Sequence, residues 1–192
     1  MRVLGENDLN QSTLKTRSGK ELPVQRLGAG HAEALPKFHA ALSSASRDSF
    51  TPHAYDPETV AVYIRRSEAD EDRIYVALSD AGIVGYFFLW AFQEAIPLLG
   101  IGLADAFQGE GLGAQMMAIL IDDAKAAARD GIELTTMQHN DRAFALYRKM
   151  GFEHVGDVDN VTGDGRHVVE RKMFLALKDG AQPSTREFKP PV

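Results

Sequence analysis

Three glycines at alternating positions, Gly109-Glu110-Gly111-Leu112-Gly113, stand where a strand-forming run ends and a long helical repeat begins. No other segment constrains the chain as much. Before the junction, Ile96 to Leu103 reads as a strand. After it, Met116, Leu120, Ala124 and Ala127 recur at helical spacing while Asp122, Lys125 and Arg129 face elsewhere, so a helix is expected from Gly111 to Asp130, ended by Gly131. Glycine lets the main chain approach a bulky ligand, and the free N–H groups of a helix's first turn offer donors to an anion. A pyrophosphate suits such a site. The dinucleotide fingerprint and the ATP-binding P-loop both fail, since Ala114 and Gln115 follow Gly113 where a P-loop carries Lys and Ser/Thr. Alone, the run reads equally well as a plain loop-to-helix junction.

The remaining periodicities give the order β-α-α-β-β-β-α-β-α-β-β, a mixed sheet with helices on its faces. Leu22 to Leu27 is the first strand, and Ala32 to Leu42 a helix with Leu35, Phe38, His39 and Leu42 on one face. Ser43 to Tyr55 reads as loop, and Asp56-Pro57-Glu58 as the start of a second helix. Arg73 to Leu78 and Ile83 to Phe92 form a hairpin about Gly82. Its aromatic residues Tyr86, Phe87, Phe88, Trp90 and Phe92 are mainly core, alternate ones facing an acceptor side. Ile132 to Met137 is a strand, Asp141 to Met150 a helix stopped by Gly151, and strands follow at Phe152 to Val155 and His167 to Leu177. The expected organisation is a loose tail over 1–20, one domain over 21–178 and a second tail over 179–192.

About 27 residues after the glycines comes Asn140-Asp141-Arg142-Ala143-Phe144-Ala145-Leu146-Tyr147-Arg148-Lys149-Met150-Gly151-Phe152. Together with Gln108-Gly109-Glu110-Gly111-Leu112-Gly113 this resembles the GCN5-related N-acetyltransferase (GNAT) family. That family's motifs are Arg/Gln-x-x-Gly-x-Gly/Ala and Asn-x-x-Ala-x-x-Leu-Tyr-x-Lys-x-Gly-Phe, and every position of both is matched. The resemblance implies an α/β (α+β) fold: a mixed, mostly antiparallel sheet of six to seven strands, about four helices, and a splay between the fourth and fifth strands. It further implies acetyl-CoA as acyl donor, with pantetheine along Leu103, Ala104 and Asp105. Pyrophosphate would lie on Gln108, Gly109, Glu110, Gly111, Leu112, Gly113 and Ala114, with Asn140 and Ala143 across the slot.

On the same resemblance Tyr147 is the acid that protonates the departing thiolate. A phenol of ordinary pKa near ~10 is protonated at neutral pH and can donate as charge grows on a thiol of pKa near ~8.5. Read only as a helix residue, Tyr147 belongs to a buried face with Ala143 and Met150. The base is harder to place. The glutamate that some members carry ahead of the glycines aligns with Pro97, leaving Glu94, Asp105, Glu133 and His139 as weak candidates beside the option of no base.

Cysteine is absent, which removes disulfides, cysteine nucleophiles and thiolate metal sites and fits a reducing, cytoplasmic setting. The net charge of −6 argues against gripping a nucleic-acid backbone. The six histidines show no metal-binding spacing, so no metal is expected. The longest apolar run, Ile83 to Phe92, is about half of the ~20 residues that a membrane helix needs. The reading is therefore an N-acetyltransferase acting on a primary amine, with a non-catalytic acyl-CoA-binding module as rival. A small-molecule amine is preferred as acceptor, a protein amino group and a homodimer staying open.

Overall fold

Strand-forming runs alternate with helical repeats along this chain, and the computed structural model, which describes residues 12–185, assembles them into one eight-stranded sheet covered on both faces. The elements are β1 (Thr13–Lys15), β2 (Glu21–Arg26), α1 (Ala34–Ala41), α2 (Ser44–Ser49), α3 (Pro57–Glu68), β3 (Arg73–Ser79), β4 (Gly82–Trp90) and β5 (Leu98–Leu103). Then come α4 (Leu112–Ala126), β6 (Gly131–Met137), α5 (Asp141–Lys149), β7 (Glu153–Val161) and β8 (His167–Ala176). Strand order is β1-β2-β3-β4-β5-β6-β8-β7, antiparallel throughout except between β5 and β6.

Side-chain alternation divides the core in two. Phe87 and Leu89 of β4, Ile132 and Leu134 of β6 and Met173 of β8 pack under α4 and α5. Tyr86, Phe88 and Trp90 of β4 pack on the opposite face with Leu35, Phe38, Val60, Tyr63 and Ile64 of α1 and α3. Helix α4 buries Leu112, Met116, Met117, Leu120 and Ile121; at about 1.5–3 kcal/mol per large side chain, this face and not helix propensity holds it on the sheet. Asp56 caps α3 by accepting from Thr59 N at 2.9 Å, with Pro57 just inside, as its sequence signature implies.

The expected six to seven strands and about four helices become, among the described residues, eight strands and five α-helices. The additional strand, β1, lies inside the segment read as a tail; only Leu14 points inward, too little for a period-two signal. Helix α2 lies where a loop was read. It buries no residue and so has no apolar stripe, being fixed by Ser43, which accepts from Ser46 N at 3.2 Å. Strand β7 runs to Val161, six residues past its expected end. It is a polar edge strand with a bulge near Gly156, and a solvated edge leaves no alternation to read. At the other terminus Ser184 is tied to Glu133 (Oγ to Oε2, 2.7 Å), within the segment read as a loose tail. Residues 1–11 and 186–192 of the two tails lie outside the described residues.

The feature that positions the site is the parting of β5 from β6. Glu133 N donates to Pro97 O at 3.0 Å and Asp130 N to Ala95 O at 2.8 Å, joining the strands where β5 begins. Their ladder holds a single register pair, Leu98 opposite Glu133. Beyond it each strand stays bonded to its outer neighbour, β5 to β4 as far as Leu103 and β6 to β8 as far as Met137. A wedge opens between them.

Candidate active site

The loop at the wide end of this wedge is shaped by two glycines in the left-handed region, Gly109 at φ +85° and Gly111 at φ +81°. Gly111 is the N-cap of α4, and nothing lies within 4 Å of where a Cβ would project from it. Gly111, Leu112, Gly113 and Ala114, the start of α4, all line the cavity described next. Gly113 serves packing instead: a Cβ there would sit 2.9 Å from Leu146 Cδ2, so its absence lets α4 start hard against α5. Gln108 donates from Nε2 to Leu103 O (3.2 Å) and Ser46 Oγ (3.1 Å), and its Oε1 accepts from Arg142 Nη1 at 3.2 Å. The β1–β2 turn reaches the same loop, Arg17 N donating to Glu110 Oε2 at 3.0 Å.

A cavity of about 720 Å³ extends from this loop through the wedge. Its lining comes from both faces of the sheet. Ile101, Leu112, Met116, Leu146 and Tyr147 line it on the α4–α5 side, and Phe88, Trp90, Thr135, Met137 and Glu170 on the α1–α3 side. The passage is therefore a channel through the sheet rather than a dent in one face. Its charged lining residues are Arg17, Arg142, Lys149 and Glu170, so the cations come from the β1–β2 turn and α5, and the acid from β8. Over the α1–α3 end lies a bridge in which Asp48 of α2 accepts from Arg166 of the β7–β8 turn and sits 3.4 Å from His139 Nε2. Gly163 N donates to Thr51 O at 2.7 Å beside it.

Of the residues expected at the site, Leu103, Gln108, Gly109, Gly111, Leu112, Gly113, Ala114, Asn140, Ala143 and Tyr147 line the cavity together. Asn140 also caps α5, its Oδ1 accepting from Ala143 N at 3.1 Å. Ala104, Asp105 and Glu110 lie outside the lining. Asp105 anchors α2 instead, accepting from Ser46 Oγ (2.6 Å), Ser43 N (2.9 Å) and Ser43 Oγ (2.8 Å), bonds that hold its carboxyl down to about 2. Tyr147 is 6% exposed. Burial, and after it the negative charge of Glu170, pushes its phenol well above the ordinary value, so the proton stays on the ring.

None of the four candidate bases lines the cavity. Glu94 is exposed before β5, Glu133 pairs with Lys172 Nζ at 3.1 Å, and His139 turns to Asp48. The acid that does line it, Glu170, was not singled out from sequence. No local signal marked it: in the alternation Val168, Glu170, Lys172 and Phe174 half of the residues are charged, so the strand does not read as an apolar face on which one carboxylate would stand out. Nor were Arg17 and Arg142 noticed, surface arginines having no pattern of their own. Among the described residues no cluster of His, Cys, Asp or Glu could hold a metal ion, and no helix is long and apolar enough to cross a membrane.

A mixed sheet that parts between two parallel strands, with a glycine-shaped helix N-terminus and cations at the mouth, defines an α/β protein with an open channel through its sheet. A profile of the acetyltransferase (GNAT) family matches residues 38–152, and the chain belongs to that family. It is 30% identical over 105 residues to N-alpha-acetyltransferase RimI of Mycobacterium tuberculosis, an alignment covering 53% of this chain and 65% of that relative's length. The fold matches ribosomal-protein-S5-alanine acetyltransferase from Vibrio fischeri with a TM-score of 0.72 at 13% identity, over 90% of this chain and 100% of that one. It also matches yncA of Salmonella typhimurium, a putative acetyltransferase with its cofactor acetyl-CoA, with a TM-score of 0.66 at 20% identity, over 87% and 100%.

Proposed function

We propose that the chain is an N-acetyltransferase that moves an acetyl group from acetyl-CoA to a primary amine within a ternary complex. The observation that carries this reading is the through-sheet channel, cationic at one end, acidic at the other and lined between them by Tyr147. The residues fit coenzyme A. Positive-φ glycines leave the start of α4 open to a pyrophosphate, Arg17 and Arg142 supply positive charge there, and the unpaired edges of β5 and β6 accept an extended amide-bearing arm. Gln108 and Asn140 would hold the loop and the arm's far side. Acetyl-CoA supplies an acetyl group already activated as a thioester.

The chain's own part is to position and to move protons. Attack by the amine forms the C–N bond, the C–S bond breaks, and Tyr147 gives its proton to the departing sulfur. A phenol kept protonated by burial is inert until thiolate charge develops beside it. The acceptor is a primary amine. The relatives' names, N-alpha-acetyltransferase and ribosomal-protein-S5-alanine acetyltransferase, bring a protein α-amino group forward, and the preference for a small molecule gains no support from them. A cytoplasmic setting suits a chain without cysteine. The test is thiol release from acetyl-CoA with a panel of amines and amino-terminal peptides, alongside calorimetric binding of CoA. Amine-dependent release is expected; CoA binding without release would make the chain a binding module, and no CoA binding would overturn the reading.

A further inference from the structure

We infer that Glu170 is the group that receives the acceptor's ammonium, and that the acceptor is a monocationic primary amine with an apolar body and no carboxylate beside the amine. The inference rests on the acyltransferase reading. Met137 and Glu170 are register partners across β6 and β8, and Val158 of β7 is opposite Glu170 on the other side, so all three share the α1–α3 face. Tyr147 lies on the other face, in the core under α4 and α5. The two groups thus meet the channel from opposite sides of the sheet. Glu170 is 8% exposed, and Asn160 Nδ2 donates to its Oε2 at 2.6 Å, which fixes the carboxylate without neutralising it. The other charged groups on its face are Lys172 and Glu133, which bind each other at 3.1 Å.

Glu170 is the one acidic residue lining the channel among the described residues, which suits a single cation and not a polyamine. The three basic lining residues belong to the β1–β2 turn and α5; on the α1–α3 side Lys172 and Arg166 lie outside the lining and are paired with Glu133 and with Asp48 and Asp164, so no lining cation there meets an acceptor carboxylate. There the walls are aromatic: Phe50, Phe88 and Trp90. Two β5 glycines make room for these rings, since a Cβ on Gly100 would fall 2.2 Å from Phe88 Cζ and one on Gly102 2.2 Å from Phe50 Cε1. An amine with a carboxylate beside it would bury that charge without a partner; one with an aliphatic or aromatic body would bury apolar surface instead.

The proton balance is complete. At pH 7 a simple amine of pKa about 10 is ammonium in all but roughly one molecule in a thousand. Glu170 accepts one proton from nitrogen and later releases it to water. As the C–N bond forms and the C–S bond breaks, nitrogen loses its second proton, which replaces the one Tyr147 gave to sulfur. Products are the amide and the free thiol.

Trp90 is the chain's single tryptophan and lines this end of the channel, so its fluorescence reports acceptor binding directly. The experiment titrates wild type, Glu170→Gln and Glu170→Asp with 2-phenylethylamine, phenylalaninamide, phenylalanine and a pentapeptide beginning with Phe. It then measures thiol release from acetyl-CoA between pH 7 and 10, and CoA affinity by calorimetry. Expected are quenching by 2-phenylethylamine and phenylalaninamide but not by phenylalanine, and CoA affinity within twofold across the variants. Glu170→Gln should lose about 100-fold in kcat/KM at pH 7, a deficit that narrows towards pH 10 as the amine arrives uncharged, which a merely structural role would not produce. Turnover of the pentapeptide or of the small amines supports the inference alike and identifies the acceptor's source. Unchanged turnover in Glu170→Gln, or phenylalanine binding as well as 2-phenylethylamine, overturns it while the acyltransferase reading stands. No thiol release from wild type with any amine overturns both.

Discussion

Tyr147 and Gly111 show how single side chains set the chemistry, and each can be tested against its own control. Tyr147→Phe keeps the ring in its buried place beside Phe152 and removes only the donor, so stability should change by less than about 1.5 kcal/mol. Expected is a fall in kcat of at least about tenfold with CoA affinity unchanged, checked by steady-state kinetics and calorimetry; unaltered kcat would end its role as acid. Gly111→Ala forces a Cβ into the left-handed region and should cost roughly 1–2 kcal/mol in urea unfolding, although the space beside it is open. Gly111→Asp adds a negative charge where a pyrophosphate would lie, so CoA binding should vanish in that variant and survive in the alanine one. Both residues were legible because they sit in motifs whose spacing is local. Glu170 was not, since its position in the channel depends on the register of β8 against β6, which no short segment encodes.

At the scale of elements, the roof over the acceptor end depends on α2, a six-residue helix without a buried side chain. It is held from outside, by Asp105 at its start and by Asp48 reaching Arg166 and His139. These groups are 41–63% exposed, and exposed pairs contribute about 0–1 kcal/mol each. Asp48→Asn should therefore lower stability by under about 1 kcal/mol while loosening the β7–β8 turn over the channel. The expected kinetic result is a several-fold rise in KM for the amine with CoA affinity unchanged; an unaltered KM would show that this bridge does not shape the acceptor site. Helices α3 and α4 were legible because each carries an apolar stripe and a proline or glycine at its start; α4 ends at Ala126 and not at Gly131, which opens β6. Helix α2, the short β1 and the length of β7 were not, for one physical reason: each is mostly exposed and carries too few apolar residues for a period to show.

For the molecule as a whole, alternating burial predicted a two-faced sheet, but the opening between β5 and β6 followed only from the family resemblance, because both strands are apolar and periodicity cannot tell paired from parted. What lets the sheet open without unravelling is a separate core on each face. The α1–α3 core holds a titratable group at its centre, His53, 1% exposed and packed against Tyr55, Tyr63 and Tyr86. Its Nδ1 lies 2.5 Å from Ala54 O, which can only accept, so Nδ1 carries the proton and Nε2 accepts from the Tyr86 hydroxyl at 3.0 Å. Burial, outweighing that carbonyl, lowers its pKa from 6.5 to about 4. Between these values the unfolded chain binds a proton that the folded chain refuses, so stability rises with pH across the window. The contribution is fully present above pH 6.5 and lost by about pH 4, a difference of roughly 3 kcal/mol. Urea unfolding at pH 7.5 and 4.5 checks this against His53→Gln. The variant should be less stable at the higher pH, having left the Tyr86 hydroxyl poorly matched, yet should lose much less than wild type on acidification. An equal loss in both proteins would assign the acid sensitivity to carboxylates elsewhere on the sheet.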